Sequence, residues 1–230
     1  MEIYGLNKTT LLDYPGRVAC TLFTGGCNFR CPFCQNSELV LCPDTQPVHP
    51  EQELFDFLKK RAGILSGVCI TGGEPTLQPD LPAFIEKVKA LGYAVKLDTN
   101  GARPDVLKHL LKKGLVDYVA MDIKNAPGRY PETAGIPGLD IRPIRESVSL
   151  IKDSGLDYEF RTTIVKELHS EDDVCVIGEW LAGCRSYYLQ SYQDSETVLL
   201  PGFHAHDDST LQRFAEILKQ WIPNTQLRGV

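Results

Sequence analysis

Cys27, Cys31 and Cys34 fall within one short stretch, GGCNFRCPFCQNS, at a C-x3-C-x2-C spacing. Thiolates are soft donors that select iron-sulfur clusters, zinc and Cu(I) over hard cations. Three of them hold three corners of an iron-sulfur cubane and leave one iron open. The same donors suit a zinc site completed by Cys42 or His49, or a fully ligated electron-transfer cluster. Spacing by itself leaves a catalytic centre and a non-enzymatic zinc or iron-sulfur module both standing.

Other stretches add groups of complementary chemistry. TGGEP places Gly72, Gly73 and Glu74 after a short apolar run; glycines let backbone approach a ligand closely, and a carboxylate accepts hydrogen bonds from an ammonium. By itself this is also an ordinary strand-to-helix turn. LDTNG at 97–101 reads equally as an Asx-type turn. Lys124, closing MDIK, and Arg161, in EFRTT, are cations at the ends of further apolar runs, where a solvated lysine and a structural ion pair are the plain alternatives.

These groups need elements to position them, and the sequence supplies a βα rhythm from about residue 17 onward. Short apolar runs at 17–24, 67–72, 93–99, 117–124, 157–165 and 186–192 read as strands covered on both faces. Between them, 50–63, 80–92, 103–114, 141–155 and 170–183 show helical spacing and close on glycine, with a last helix at 208–221. Ser170 and Asp173 form a capping-box pattern.

No charge run, low-complexity linker or composition break interrupts the series, so residues 1–230 are expected to form a single α/β domain, with 1–16 preceding the first core strand. A partial, curved (β/α)6 barrel is the expected architecture, and a doubly wound sheet is the alternative. In either, the functional groups gather at the carboxyl ends of the strands. The connections 125–140 and 193–207 are long enough to be lids, binding segments or plain surface loops.

The net charge of -6 argues against nonspecific nucleic-acid binding, which depends on basic surface. No apolar run reaches the roughly 20 residues that span a bilayer. The start MEIYGLNKTT lacks the features of a signal peptide, so a cytoplasmic location without membrane contact is expected. There thiols stay reduced, and the eight cysteines read as ligands and small buried hydrophobes, not as a disulfide framework.

The cysteine array, with Phe33 before its last member, resembles the C-x3-C-x-aromatic-C signature of the radical S-adenosylmethionine (SAM) superfamily. That resemblance implies a [4Fe-4S] cluster held by Cys27, Cys31 and Cys34, with SAM chelating the open iron. It also implies reductive cleavage of SAM to methionine and a 5′-deoxyadenosyl radical. TGGEP is similar to the superfamily's GGE stretch, which implies that Gly72, Gly73 and Glu74 orient SAM.

LLDYPGRVACTLFTGGC resembles the D-x-P-G opening of glycyl-radical-enzyme activases, placing Asp13 near a target peptide. The same resemblance implies a monovalent cation at Asp98, Thr99, Asp122 and the Ala120 carbonyl, and SAM contacts from Lys124 and Arg161. Gln193 stands where pyruvate formate-lyase activases carry a histidine toward the SAM ribose, and Gln35 stands where a histidine is frequent. The implied partner is a glycyl radical enzyme, with anaerobic ribonucleotide reductase favoured by Gln193, and the implied reductant is a flavodoxin or ferredoxin. A pyruvate formate-lyase-type activase and a radical SAM enzyme acting on a small molecule or peptide are the alternatives.

Overall fold

The computed structural model describes residues 1–229. Contacts divide them into two compact units: Met1–Asn28, Asn36–Thr99 and Arg103–Ala120 form the first, and Phe29–Gln35, Asn100–Ala102 and Met121–Val230 the second.

The first unit begins with β1 (Gly5–Thr10) and β2 (Ala19–Thr24), followed by α1 (Ser37–Leu41) and α2 (Glu51–Lys60). It continues through β3 (Gly67–Gly72), α3 (Leu81–Ala90), β4 (Ala94–Thr99) and α4 (Pro104–Lys112) into β5 (Tyr118–Asp122), whose last two residues belong to the second unit. The second unit adds α5 (Tyr130–Thr133), α6 (Arg142–Lys152), β6 (Asp157–Ile164), α7 (Glu171–Leu181), β7 (Tyr187–Ser191), α8 (Asp208–Lys219) and β8 (Thr225–Arg228).

The eight strands lie in one mixed sheet in chain order, β1 to β8. That order excludes the doubly wound alternative, in which strand order reverses at a switch point. β2 pairs with β3, and β3 with β4, in parallel, as do β6 with β7 and β7 with β8. β1 runs antiparallel to β2, from Gly5 opposite Phe23 to Thr10 opposite Ala19, with a register shift between Asn7 and Thr10.

The six expected strands are present with slightly trimmed ends, and β1 and β8 are additions. β1 lies inside the segment 1–16 that was expected only to lead into the sheet. Its sequence GLNKTT is mostly polar, because an edge strand needs little apolar surface, and β8 has only four residues. The loop at 125–140 also contains α5.

In the first unit Leu22, Ile70, Val95 and Leu97 of the strands are fully buried, as are Leu58 of α2 and Ile85 and Val88 of α3. In the second, Phe160, Leu189, Ile144, Ile177 and Leu218 are likewise buried. The capping box of α7 is formed: the Ser170 hydroxyl accepts from the Asp173 N–H at 3.3 Å, and Asp173 Oδ2 accepts from the Ser170 N–H at 2.8 Å. Among the described residues, no helix is long and apolar enough to cross a membrane.

β8 is secured by charge as well as by its ladder. Glu159 of β6 is 1% exposed, and Arg228 of β8 binds both its oxygens at 2.8 Å while lying over the Tyr188 ring of β7. Replacing one partner of such a pair leaves a buried charge without compensation. Arg228→Ala is expected to lower stability by roughly 3 kcal/mol, seen as a lower urea midpoint with an unchanged slope.

Candidate active site

The cysteine array begins three residues after β2 ends at Thr24. Cys27 belongs to the first unit, and Cys31 and Cys34 belong to the second. None of the three is in a disulfide; Cys31 is buried and the other two are partly exposed. The Cys34 N–H donates to the Cys31 carbonyl at 3.0 Å, closing a turn between them. Phe33 is buried and meets the Tyr192 ring edge-on at 6.5 Å. Among the described residues no group of three or more His, Cys, Asp or Glu side chains stands preassembled around a metal position. Three unbridged thiols in this short run are nonetheless a donor set that suits an iron-sulfur cluster.

In the first unit the turn after β3 is stitched to the turn after β2. The Gly73 N–H donates to the Thr24 carbonyl at 2.9 Å and the Glu74 N–H to the Gly26 carbonyl at 2.8 Å. Asn36 Nδ2 donates to the Gly72 carbonyl at 3.2 Å and Gln78 Nε2 to the Gly25 carbonyl at 2.8 Å. A Cβ on Gly73 would strike the Gly26 carbonyl oxygen, so this approach admits only glycine. Gly72 sits at φ 114° with the Thr24 backbone against the position a Cβ would take.

That stitch buries Glu74 to 1% exposure. Its Oε1 accepts from the Thr76 N–H at 3.1 Å, the Thr76 hydroxyl at 2.5 Å and the Thr99 hydroxyl at 2.8 Å. Two expected site residues from different strand ends, Glu74 and Thr99, are thus brought together. Thr76 was not anticipated, although a hydroxyl two residues after an acid is a common partner in a turn.

Asp98 has a partner that the sequence reading also missed. Lys96, on the same face of β4, is 1% exposed and forms an ion pair with Asp98 Oδ1. Its Nζ lies 3.9 Å from Cys69 Sγ and 5.8 Å from the centre of the Tyr118 ring. A lysine two residues before Asp98, on the same strand face, is the signal that could have pointed to it. Asp13, in the same unit, accepts from the Thr21 hydroxyl at 2.5 Å and donates its N–H to the Thr10 hydroxyl at 3.1 Å, so its loop is pinned to β1 and β2. Ala120 is fully buried on β5.

The second unit gathers Asp122, Lys124 and Arg161. Lys124 Nζ binds Asp122 Oδ2 at 3.0 Å, and Arg161 Nε pairs with Asp122 Oδ1. Burial would push the Asp122 carboxyl upward, but the Arg161 guanidinium and Lys124 ammonium override it and hold it well below the usual carboxylate range. Burial pulls Lys124 down, and Asp122, with Cys31 also in electrostatic reach, raises it well above the ordinary lysine value. The two carboxylates expected to serve a monovalent cation, Asp98 and Asp122, therefore both hold cations supplied by the chain.

His169 fixes the backbone beneath this group. It is 1% exposed; its Nδ1 accepts from the Val165 N–H at 3.0 Å, which leaves Nε2–H to donate to the Lys124 carbonyl at 2.8 Å. Beside it Asn125, fully buried, donates to the Thr133 hydroxyl and the Leu168 carbonyl, both at 2.8 Å. Gln193 is exposed and offers its backbone carbonyl to Gln35, while its side-chain amide lies toward Gly229.

The radical SAM superfamily profile matches residues 21–175, a span that contains the cysteine array and the GGE turn. A protein of Methanocaldococcus jannaschii, provisionally named a glycyl-radical enzyme activating enzyme, is 31% identical over 99% of this chain and 96% of its own length. The 7-carboxy-7-deazaguanine synthase of Thermococcus kodakarensis is 27% identical over 64% of each chain. A solved structure of TYW1 with a lysine-pyruvate adduct bound has the same fold, with a TM-score of 0.65 at 19% identity, covering 89% of this chain and 74% of that one.

Lys96→Met removes one member of a buried pair and is expected to cost about 3–5 kcal/mol in chemical unfolding. The double replacement Lys96→Met with Asp98→Leu should recover most of that loss. Burial keeps the His169 ring below its ordinary value of 6.5, so it stays neutral in the folded chain. The unfolded chain takes up the proton first, and the stability from neutral His169 is present above about pH 6.5 and lost progressively beneath it. His169→Gln, which keeps an acceptor and a donor without titrating, should flatten the fall in melting temperature between about pH 7.5 and pH 5.5.

Proposed function

The chain belongs to the radical SAM superfamily, and from that membership we propose that this radical SAM enzyme activates a glycyl radical enzyme, with anaerobic ribonucleotide reductase as its partner. The observation that carries this reading is the end-to-end likeness to the M. jannaschii protein, 99% of this chain against 96% of that one. When bound, a [4Fe-4S] cluster and SAM supply one-electron cleavage of the sulfonium, yielding methionine and the 5′-deoxyadenosyl radical that takes hydrogen from a glycine Cα.

Cys27, Cys31 and Cys34 hold the iron in this reading. Gly72 and Gly73 let the backbone come close to SAM, and Glu74, fixed by Thr76 and Thr99, is a preset acceptor for its ammonium. Arg161 and Lys124, oriented by Asp122, would serve the carboxylate and ribose of SAM. Phe33 against Tyr192 excludes water from the radical. Gln193 would offer an amide to the ribose only by turning away from Gly229, and Asp13 would meet the target peptide from its pinned loop. The electron comes from a flavodoxin or ferredoxin.

A second reading, chemistry on a small molecule, is favoured by the match to 7-carboxy-7-deazaguanine synthase over 64% of this chain. Anaerobic reconstitution with SAM and reductant, followed by electron paramagnetic resonance of candidate glycyl radical enzymes, separates the two. A glycine-centred doublet in anaerobic ribonucleotide reductase is expected, together with loss of both the cluster spectrum and 5′-deoxyadenosine formation in Cys31→Ala. A doublet only in another glycyl radical enzyme would replace the partner, and 7-carboxy-7-deazaguanine formation without any doublet would replace the reaction.

A further inference from the structure

Gln35 and residues 194–207 have no part in the chemistry above, yet within the second unit Gln35 and the loop 193–207 meet. Gln35 Nε2 donates to the Gln193 carbonyl at 2.6 Å. Further along the loop, the Leu199 N–H donates to the Cys34 carbonyl at 3.0 Å and the Leu200 N–H to the Pro32 carbonyl at 2.8 Å. At the loop's base Tyr192 packs against Phe33, and its hydroxyl donates to Asp194 Oδ1 at 3.0 Å. The donors are adjacent residues and the acceptors are two apart, so this is not a strand ladder, in which both partners would alternate.

The other flank of the cysteine segment is held differently. The Arg30 N–H donates to the Ala134 carbonyl at 2.9 Å, and Gly135 at φ 66° leaves no room for a Cβ against the Arg30 carbonyl. That flank rests on Asn125, Tyr130 and Thr133, all fully buried. Asp194, Ser195, Glu196 and Thr197 are instead exposed, and Leu200 is 52% exposed. A segment with few buried contacts and solvent-facing hydrogen bonds opens at low free-energy cost. One flank is a fixed clamp and the other is a releasable band.

We infer that residues 193–200 form a strap across the Cys31–Cys34 turn, and that Gln35 is the positioning residue that latches it. Closed, the strap occupies the Pro32 and Cys34 carbonyls and covers the segment carrying two of the three thiols. Open, it exposes that segment to solvent and to large reactants. The latch needs a donor at position 35, because its counterpart is a carbonyl.

The direct test is hydrogen exchange of the Leu199 and Leu200 amides in the metal-free protein, comparing Gln35→Glu, which keeps the shape but removes the donor, with Gln35→Lys, which keeps a donor. Gln35→Glu is expected to speed exchange roughly three- to tenfold, the loss of one ordinary hydrogen bond. Gln35→Lys should restore protection, and peptides covering 125–133 should be unaffected in both. Reconstituted protein should lose iron to a ferrous chelator faster by a similar factor in Gln35→Glu, and not in Gln35→Lys. Exchange at the rate of an unstructured peptide in the unaltered protein, or no difference between it and Gln35→Glu, overturns the strap. Changed exchange with unchanged iron loss overturns its covering role.

Discussion

The carbonyl of Gly26 occupies the place where any residue but glycine at position 73 would put its Cβ, and the first unit's share of the site is organised by that approach. It lets Glu74 donate its N–H to Gly26 and draws the turn after β3 against the turn after β2. Glu74 is then sealed in with Thr76 and Thr99, and Asn36, just beyond the last cysteine of the array, reaches the Gly72 carbonyl. The turn after β2 and a turn some forty residues away thereby share one scaffold, made of two backbone bonds and the side-chain amides of Asn36 and Gln78. Backbone bonds of this kind tolerate little displacement, which suits groups that must be held ready before a ligand arrives.

Within the two units, charge on the strands is handled the same way three times. Asp98 is matched by Lys96, Asp122 by Arg161 and Lys124, and Glu159 by Arg228. Each acid is on a strand, and each has its cation within its own unit. Such pairs add little net stability compared with an apolar core, but they punish the loss of either partner, so they define which arrangement of the strands is tolerated.

The existence and most boundaries of β2 to β7 could be read from the sequence because these strands are apolar and separated by helices with clear stops; their order could not, since periodicity does not say which strands pair. β1 could not, since an antiparallel edge strand written GLNKTT has no alternation to detect. The glycines and cysteines of the site were legible because their chemistry depends on residue type and short spacing. Lys96, His169 and Thr76 were not, because their importance comes from what faces them across the fold. Gln35 was recognisable only as a departure from a pattern; its partner lies 158 residues away. The two long loops had no decodable composition, yet in the second unit both end up against the cysteine segment.

The group formed by Asp122, Lys124 and Arg161 has two cations for one anion, and none of the three changes protonation readily: Asp122 is held far down and Lys124 far up. In a chain whose net charge is -6, these two cations keep their charge beside Asp122, with Cys31 inside the electrostatic reach of Lys124. Because neither acid nor base titrates between about pH 5 and pH 9, that local field acts as a fixed bias. A thiolate formed nearby would feel the same attraction at any pH within that interval.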